Sequence, residues 1–212
     1  RVKIVLIGHQ DAEAAVGRLA AQTTDRWSAV VVPSVDGVSF SWSDLTSALS
    51  AEPADEDIVV FTSARFVLRA DAIVAFGEAL AKHANSPAAY VDLEVETADG
   101  KLQPVFFGAF DYERLIEQGY PAYCFAVRAD RIRVPDERDS GSLVRLFLAL
   151  FDAAASENHQ TILHIPGVFA RCQSVDLLAP KIALKRAVIA HLRRRGMPAE
   201  VEDSESGLFP AV

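Results

Sequence analysis

The sequence is poor in cysteine, has no excess of positive charge and contains no long apolar run. Its two cysteines, Cys124 and Cys172, stand far apart and in no motif. Two thiols alone do not make a metal site, and unpaired cysteines are common in reducing compartments, so we expect a cytoplasmic protein. No apolar run approaches the ~20 residues that span a bilayer, and the amino terminus lacks the signal-peptide pattern.

The net charge of −8 and the pI of about 5.1 argue against a nucleic-acid binder, because a phosphate backbone attracts a basic face. The sequence also lacks the phosphate loop Gly-x-x-x-x-Gly-Lys-Ser/Thr, the dinucleotide motif Gly-x-Gly-x-x-Gly and the nucleophile motif Gly-x-Ser-x-Gly. The missing phosphate-binding glycines count against an unrelated α/β nucleotide-binding protein.

What is present is an ordinary soluble composition, with 50% hydrophobic and 24% charged residues in a chain long enough for one domain. The first third alternates buried strands with helices, at 2–8, 11–22, 28–33, 41–51 and 57–62. This alternation predicts a parallel α/β sheet with right-handed crossovers.

The pattern changes after an amphipathic helix at 70–84. A hairpin with alternating faces follows, 88–97 and 101–108 joined by an Ala-Asp-Gly turn. The later predicted elements are a helix at 111–119, a strand at 122–129, an apolar helix at 142–155, a strand at 160–172 bent by Pro166 near an edge, and a helix at 180–196.

Five stretches carry a resemblance to a known family. They are, in order, LAAQTTDRWSAVVV, YVDLEVETADGKLQPVFFGAFDYERLI, YCFAVRADRI, ILHIPGVFARC and ALKRAVIAHLRRRGMPAEVE. Together they resemble glycosyltransferase family 2 domains of large bacterial polysaccharide- and rhamnose-transferring proteins. No single stretch is specific, but the five cover nearly the whole chain in the family's order.

The resemblance implies a GT-A-like α/β fold, a three-layer sandwich with a mostly parallel central sheet and a mixed C-terminal part. It implies a role in glycan or polysaccharide biosynthesis, a nucleotide-sugar donor, a glycan acceptor, and neighbouring domains in a larger protein. An intact family member would need Mg²⁺ or Mn²⁺. The implied organisation is one domain over 1–200, with a nucleotide-binding half 1–84, an acceptor-side half 85–175, a closing helix 180–196 and a tail or linker stub 201–212.

The departures from the family concern the donor site. Where the family has paired aspartates that hold the base and ribose, this chain has Pro33 and Ser34, with Asp36 the nearest carboxylate. Where the family has the metal-binding Asp-x-Asp, Thr62 and Ala64 stand instead. About thirty residues separate these two places, a span in which the family places two helices and a further strand.

Hydroxyl and methyl groups offer no charge to offset the dehydration of a divalent cation, so we expect no metal cofactor. The first hypothesis is a degenerate, non-catalytic domain that binds a glycan or a neighbouring domain. The alternative is an active, metal-independent inverting glycosyltransferase, in which Arg65 replaces the cation at the diphosphate and Asp139 is the general base. Asp139 lies in a polar stretch that also fits a loop without chemistry.

Three further residues belong to the implied donor and acceptor cleft. Asp92 and Glu94 share one face of a strand with Glu96, and they either line the cleft or form a solvated face. His164 lies in an apolar strand, where it either helps to bind a metal or diphosphate or is a hydrogen-bonded core residue. We expect His83 and His191 to lie on helix surfaces.

The stretch HLRRRG at 191–196 ends the last helix with cations, which the negative end of the helix dipole favours. We interpret it as a solvated face. Association with a membrane surface is the alternative.

Overall fold

Ten strands and six helices make up the part of the chain that the computed structural model describes. That part comprises residues 1–8, 12–34, 36–51, 56–97, 99–135, 140–156, 161–172, 178–197 and 199–202. The strands are β1 Val2–Gly8, β2 Trp27–Pro33, β3 Ser39–Phe40, β4 Ile58–Ser63, β5 Phe66–Leu68, β6 Ala88–Glu96, β7 Leu102–Val105, β8 Cys124–Arg128, β9 Gly141–Ser142 and β10 Leu163–Cys172. The helices are α1 Ala12–Arg18, α2 Trp42–Ser50, α3 Ala72–Lys82, α4 Tyr112–Gln118, α5 Leu143–Ser156 and α6 Leu178–Arg194.

The central sheet has the strand order β2-β1-β4-β8-β6-β10-β5, with β7 paired to β6. Strand β1 is parallel to β2 and β4, and β6 is parallel to β10. Strand β8 runs antiparallel between β4 and β6, so β2, β1, β4, β6 and β10 share one direction. The predicted mostly parallel sheet with a mixed C-terminal part is confirmed.

The two inner strands of the amino-terminal half are buried as predicted. All of β1 is buried, and so are the first five residues of β4, because neighbouring strands and packed helices cover them. Strand β2 was also expected to be buried, but of its seven residues only Val32 is fully so. Strand β2 is only partly buried because it lies at the edge of the sheet. The composition of a strand does not reveal its position in the strand order, so the sequence could not predict this.

Helix α6 packs against α5. The helical spacing of Ile182, Val188, Ile189 and Leu192 predicts one apolar face, and of these Val188 and Leu192 are buried, together with Leu184. Ile182 is instead 44% exposed. In the described part of the chain, no helix combines the length and apolar character that crossing a bilayer requires.

Candidate functional site

The carboxyl ends of β1 and β4 lie side by side, at the edge where open α/β sheets bind ligands. The backbone N–H of Ala64 donates to the carbonyl of Ile7 at 2.8 Å. A Cβ atom on Gly8 would lie 2.5 Å from the Cβ of Ala64, so position 8 must be glycine for the two strand ends to meet. This close contact involves Ala64, which stands where the resembled family has a metal-binding aspartate.

Thr62 and Ala64, at the positions of the metal-binding aspartates implied by the resemblance, both face the packed interior. Thr62 is fully buried and its hydroxyl donates to the carbonyl of Tyr123 at 3.0 Å. Ala64 is 3% exposed. A hydroxyl already used as a donor and a methyl group do not fit a divalent cation, and neither side chain points into open space.

A cavity of about 80 Å³ opens beside these strand ends and is lined by Ser63 and Arg65 rather than by Thr62 and Ala64. It is well below the roughly 300–1,000 Å³ of typical ligand pockets. Arg65 is the one charged side chain among its described lining residues, and apolar side chains such as those of Val38 and Leu143 form much of the wall. The cavity therefore presents one positive charge and, in its described wall, no carboxylate.

Asp36, the carboxylate nearest to this edge in the sequence, is used inside its own turn. Its Oδ1 accepts from the backbone N–H of Val38 at 2.9 Å and of Ser39 at 2.6 Å, and from the hydroxyl of Ser34 at 3.1 Å. Its Oδ2 accepts from the Ser39 hydroxyl at 2.8 Å. Burial raises the pKa of Asp36, but these hydrogen bonds outweigh it and hold the pKa below its ordinary value.

The Asp36 turn packs against Arg65. A Cβ atom on Gly37 would lie 3.2 Å from Nε of Arg65, and the hydroxyl of Ser63 donates to the Gly37 carbonyl at 3.3 Å. The structure thus brings together the two donor-side candidates of the sequence, Asp36 and Arg65.

Asp92 and His164 form a second group, on β6 and β10. Asp92 is 1% exposed, and its Oδ1 lies 2.7 Å from Nε2 of His164. The carboxylate also accepts two backbone N–H groups, from Phe107 at 2.8 Å and from Gly167 at 2.9 Å. Gly167 has a positive φ of 123°, in an irregular part of β10 beside Pro166 that aims its N–H at Asp92. The predicted bend at Pro166 is confirmed.

The strand register places Asp92 at the same edge of the sheet as the donor-side residues. Phe61 of β4 and Tyr90 of β6 both pair with Phe125 of β8. Two residues further on, Asp92 reaches the level of Ser63, about 10 Å away across two strand spacings.

The interpretation of Asp92 as part of a solvated face is wrong, since the side chain is buried. Glu94 remains near the surface, where it pairs with Arg171 at 3.0 Å. His164 is the hydrogen-bonded residue that one of our two interpretations described. The difference between Asp92 and Glu94 arises because loop residues after β7 cover only one of them.

His191 was expected on the surface, and that prediction is wrong, because its side chain is fully buried. Its Nδ1 lies 3.1 Å from Asp152, and its Nε2 lies 2.8 Å from the hydroxyl of Tyr112. Burial raises the pKa of Tyr112. His191 follows Leu184 and Val188 at helical spacing on α6, and this spacing could have placed His191 on the buried face.

His83 is exposed, as predicted. The proposed base Asp139 lies within 136–139, outside the described residues. Among the described residues, no group of three or more histidine, cysteine, aspartate or glutamate side chains is placed to hold a metal ion.

No protein-family model and no curated protein sequence matches the chain. Solved structures do match. S. aureus TarS 1-349 in complex with UDP-GlcNAc is 13% identical, with 95% of this chain and 68% of that chain covered and a TM-score of 0.59. Glucosyl-3-phosphoglycerate synthase from Mycobacterium tuberculosis, in complex with Mn²⁺, UDP-Glc and phosphoglyceric acid, is 14% identical, with 96% and 84% covered and a TM-score of 0.57.

At this level of identity the likeness shows the fold. The chain has the GT-A-like fold of these glycosyltransferases, as the five sequence stretches implied.

Proposed function

We propose that this chain is a degenerate, non-catalytic GT-A domain of the glycosyltransferase family 2 type, which acts as a binding module in glycan or polysaccharide biosynthesis. The ligands we propose are a glycan or a neighbouring domain of a larger protein. The observation that carries the proposal is the end of β4, where Thr62 and Ala64 are buried and face away from the cavity.

The physical reason concerns the charge of the leaving group. Breaking the bond between a sugar and a nucleoside diphosphate builds negative charge on the diphosphate, and a hard cation held by carboxylates stabilises it. The buried threonine and alanine hold no such cation. The carboxylate oxygens of Asp36 already accept four hydrogen bonds within their own turn.

Calorimetric titration of the chain with UDP-Glc and UDP-GlcNAc, each with and without Mn²⁺, tests the proposal. We expect no binding that depends on Mn²⁺. Micromolar affinity that appears only with the metal would overturn the proposal.

A matched double variant, Ser63→Asp with Arg65→Asp, sharpens this test. It puts carboxylates at two positions near the end of β4 whose side chains line the cavity. If the variant binds Mn²⁺ and the unchanged chain does not, the missing carboxylates explain why the unchanged chain binds no metal. If neither the variant nor the unchanged chain binds Mn²⁺, the shape of the cavity explains it.

The alternative is a metal-independent inverting glycosyltransferase. The observation that favours it is Arg65, an exposed cation on the wall of the cavity at the strand ends. An arginine can contact phosphate oxygens through two N–H groups at once. In this alternative Asp139→Asn abolishes sugar transfer in a radioactive transfer assay and leaves donor binding intact, and unchanged turnover in that variant rules out the role of Asp139.

A further inference from the structure

A second and larger cavity, of about 780 Å³, lies at the other end of α5. Its described lining residues include Phe110, Phe151, Ala155, Thr161 and His164. We call it the His164 cavity. Val144, near the start of α5, lines the cavity at the strand ends, and Ala155 lines this one, so about 16 Å of helix separates them.

We propose that the His164 cavity binds a neutral sugar ring of a glycan. This site is separate from the cavity at the strand ends. The choice of a sugar as its ligand rests on the proposed function. Four features of the cavity support it: one hydrogen-bond acceptor, two aromatic rings, the lack of charge among the described lining residues and a suitable size.

The hydrogen-bond acceptor is Nδ1 of His164. Oδ1 of Asp92, which lies 2.7 Å from Nε2 of His164, also accepts the N–H of Phe107, so we assign the donor in the Asp92–His164 contact to Nε2–H. In the neutral imidazole Nδ1 then carries a lone pair. No other described residue forms a hydrogen bond with Nδ1, and the side chain keeps 15% of its surface exposed. A sugar hydroxyl is a donor suited to this atom.

The aromatic wall consists of Phe110 and Phe151, whose centroids lie 5.6 Å apart. Phe151 is held in place by Tyr112, which stacks on it at 4.7 Å, and by the guanidinium of Arg195 at 5.9 Å. The faces of aromatic rings are electron-rich and attract the polarised C–H groups on one face of a sugar. A cavity lined by both aromatic rings and a hydrogen-bond acceptor therefore fits a sugar ring with one apolar face and hydroxyls at its edge.

The charge and size of the cavity agree with a neutral ligand. Its described lining residues carry no carboxylate, lysine or arginine, and Thr161 adds an exposed hydroxyl. The volume lies within the roughly 300–1,000 Å³ of small-molecule pockets. A phosphorylated ligand would find no cation among these side chains.

The test is an NMR titration of the chain with methyl β-glucoside and methyl N-acetyl-β-glucosaminide, which are uncharged and do not anomerise. The imidazole ¹⁵N signals report binding, and His191 is the internal control because both of its ring nitrogens are bonded within the protein. We expect the His164 signals to shift and the His191 signals to stay. No shift at His164 up to roughly 50 mM of either sugar would overturn the proposal, since a Kd beyond that range is no specific site.

Two variants separate binding from folding. His164→Gln keeps an amide N–H near the position of Nε2 for Asp92 and removes the Nδ1 acceptor. Phe110→Leu keeps an apolar side chain and removes an aromatic face. We expect each to weaken sugar binding by roughly tenfold, the equivalent of one hydrogen bond or aromatic contact. His83→Gln, at an exposed histidine outside the described lining of the cavity, is the matched control, and sugar affinity that is equal in all four proteins would overturn the proposal.

The outcomes for the two proposals are distinguishable. Mn²⁺-dependent binding of UDP-Glc would overturn the non-catalytic function and leave a sugar shift at His164 in place. If neither Mn²⁺-dependent binding of UDP-Glc nor a sugar-induced shift at His164 is seen, only the proposed sugar site is overturned.

Discussion

Two Asp–His pairs in this molecule differ in whether the histidine keeps a ring nitrogen for a ligand. His164 contacts Asp92 through Nε2, and its side chain lines a cavity. His191 gives one nitrogen to Asp152 and the other to Tyr112, and its side chain is fully buried. The exposure of the carboxylates differs in the opposite direction: the Asp92 side chain is buried, and that of Asp152 is about one-third exposed.

The difference teaches that a buried histidine of this kind has a structural role when both of its ring nitrogens are used within the protein. The His191 pair joins α4, α5 and α6, and neither imidazole nitrogen is left for a ligand. The His164 pair joins β6, β10 and the loop at Phe107 through its carboxylate, and keeps the imidazole as the part that a ligand can reach. Four substitutions test this distinction.

Asp92→Ala has the largest expected effect. It leaves the N–H groups of Phe107 and Gly167 and the His164 imidazole without their buried acceptor. We expect the free energy of unfolding to fall by about 3–5 kcal/mol in urea denaturation. Asp152→Ala is the comparison, because solvent can replace part of what an exposed carboxylate provides. Equal losses in the two variants would contradict the difference between the pairs.

His191→Gln comes next. A glutamine side chain reaches the position of only one ring nitrogen, so either Tyr112 or Asp152 loses its partner. We expect a loss of about 1–2 kcal/mol in the same denaturation experiment. Adding Tyr112→Phe should cost less in this variant than in the unchanged chain, and strict additivity would show that the two side chains are not coupled.

His164→Gln has a smaller effect on stability. The bond to Asp92 is retained and no described residue bonds to the lost nitrogen, so the free energy of unfolding should change by less than about 1 kcal/mol. The same substitution therefore separates the two histidines. A loss at His164 as large as that at His191 would mean that both pairs are structural.

Asp36→Asn extends the comparison to a carboxylate bonded to hydroxyls and backbone. Its folded pKa lies below the reference value of 3.8, because hydrogen bonds from Ser39, Val38 and Ser34 outweigh the effect of burial. The carboxylate therefore stabilises the fold above that value, and this contribution is lost as the pH falls through the lowered folded pKa. Thermal unfolding between pH 2 and pH 7 measures it. We expect the variant to be the less stable protein at neutral pH, with the difference vanishing in acid.

Much of the fold was predictable from local patterns. The apolar run of β1 and the helical spacing of α3 identified their elements, and the bounds of α2 and α5 are close to those predicted. The three-residue strand β5 was missed, because its partner in β10 lies about a hundred residues away and so short a strand has no periodicity of its own.

The candidate site was predictable only in part. The sequence named Asp92, His164, Asp36 and Arg65, and the structure divides them into two groups at one edge of the sheet. The sequence did not indicate that Asp92 is buried. Alternation along β6 shows which residues share a face of the strand, but it does not show which other residues cover that face. The surface prediction for His191 failed for a similar reason, because its partners belong to other helices.

The sequence by itself determined the order and type of the main elements and the absence of aspartate at positions 62 and 64. These follow from backbone preferences and side-chain chemistry that act over a few neighbouring residues. The tertiary structure decided which polar groups meet: His164 and Asp92 are 72 residues apart in the chain, and His191 and Tyr112 are 79 apart. Such pairs form only when packing of the whole sheet and its helices brings distant segments into hydrogen-bonding distance.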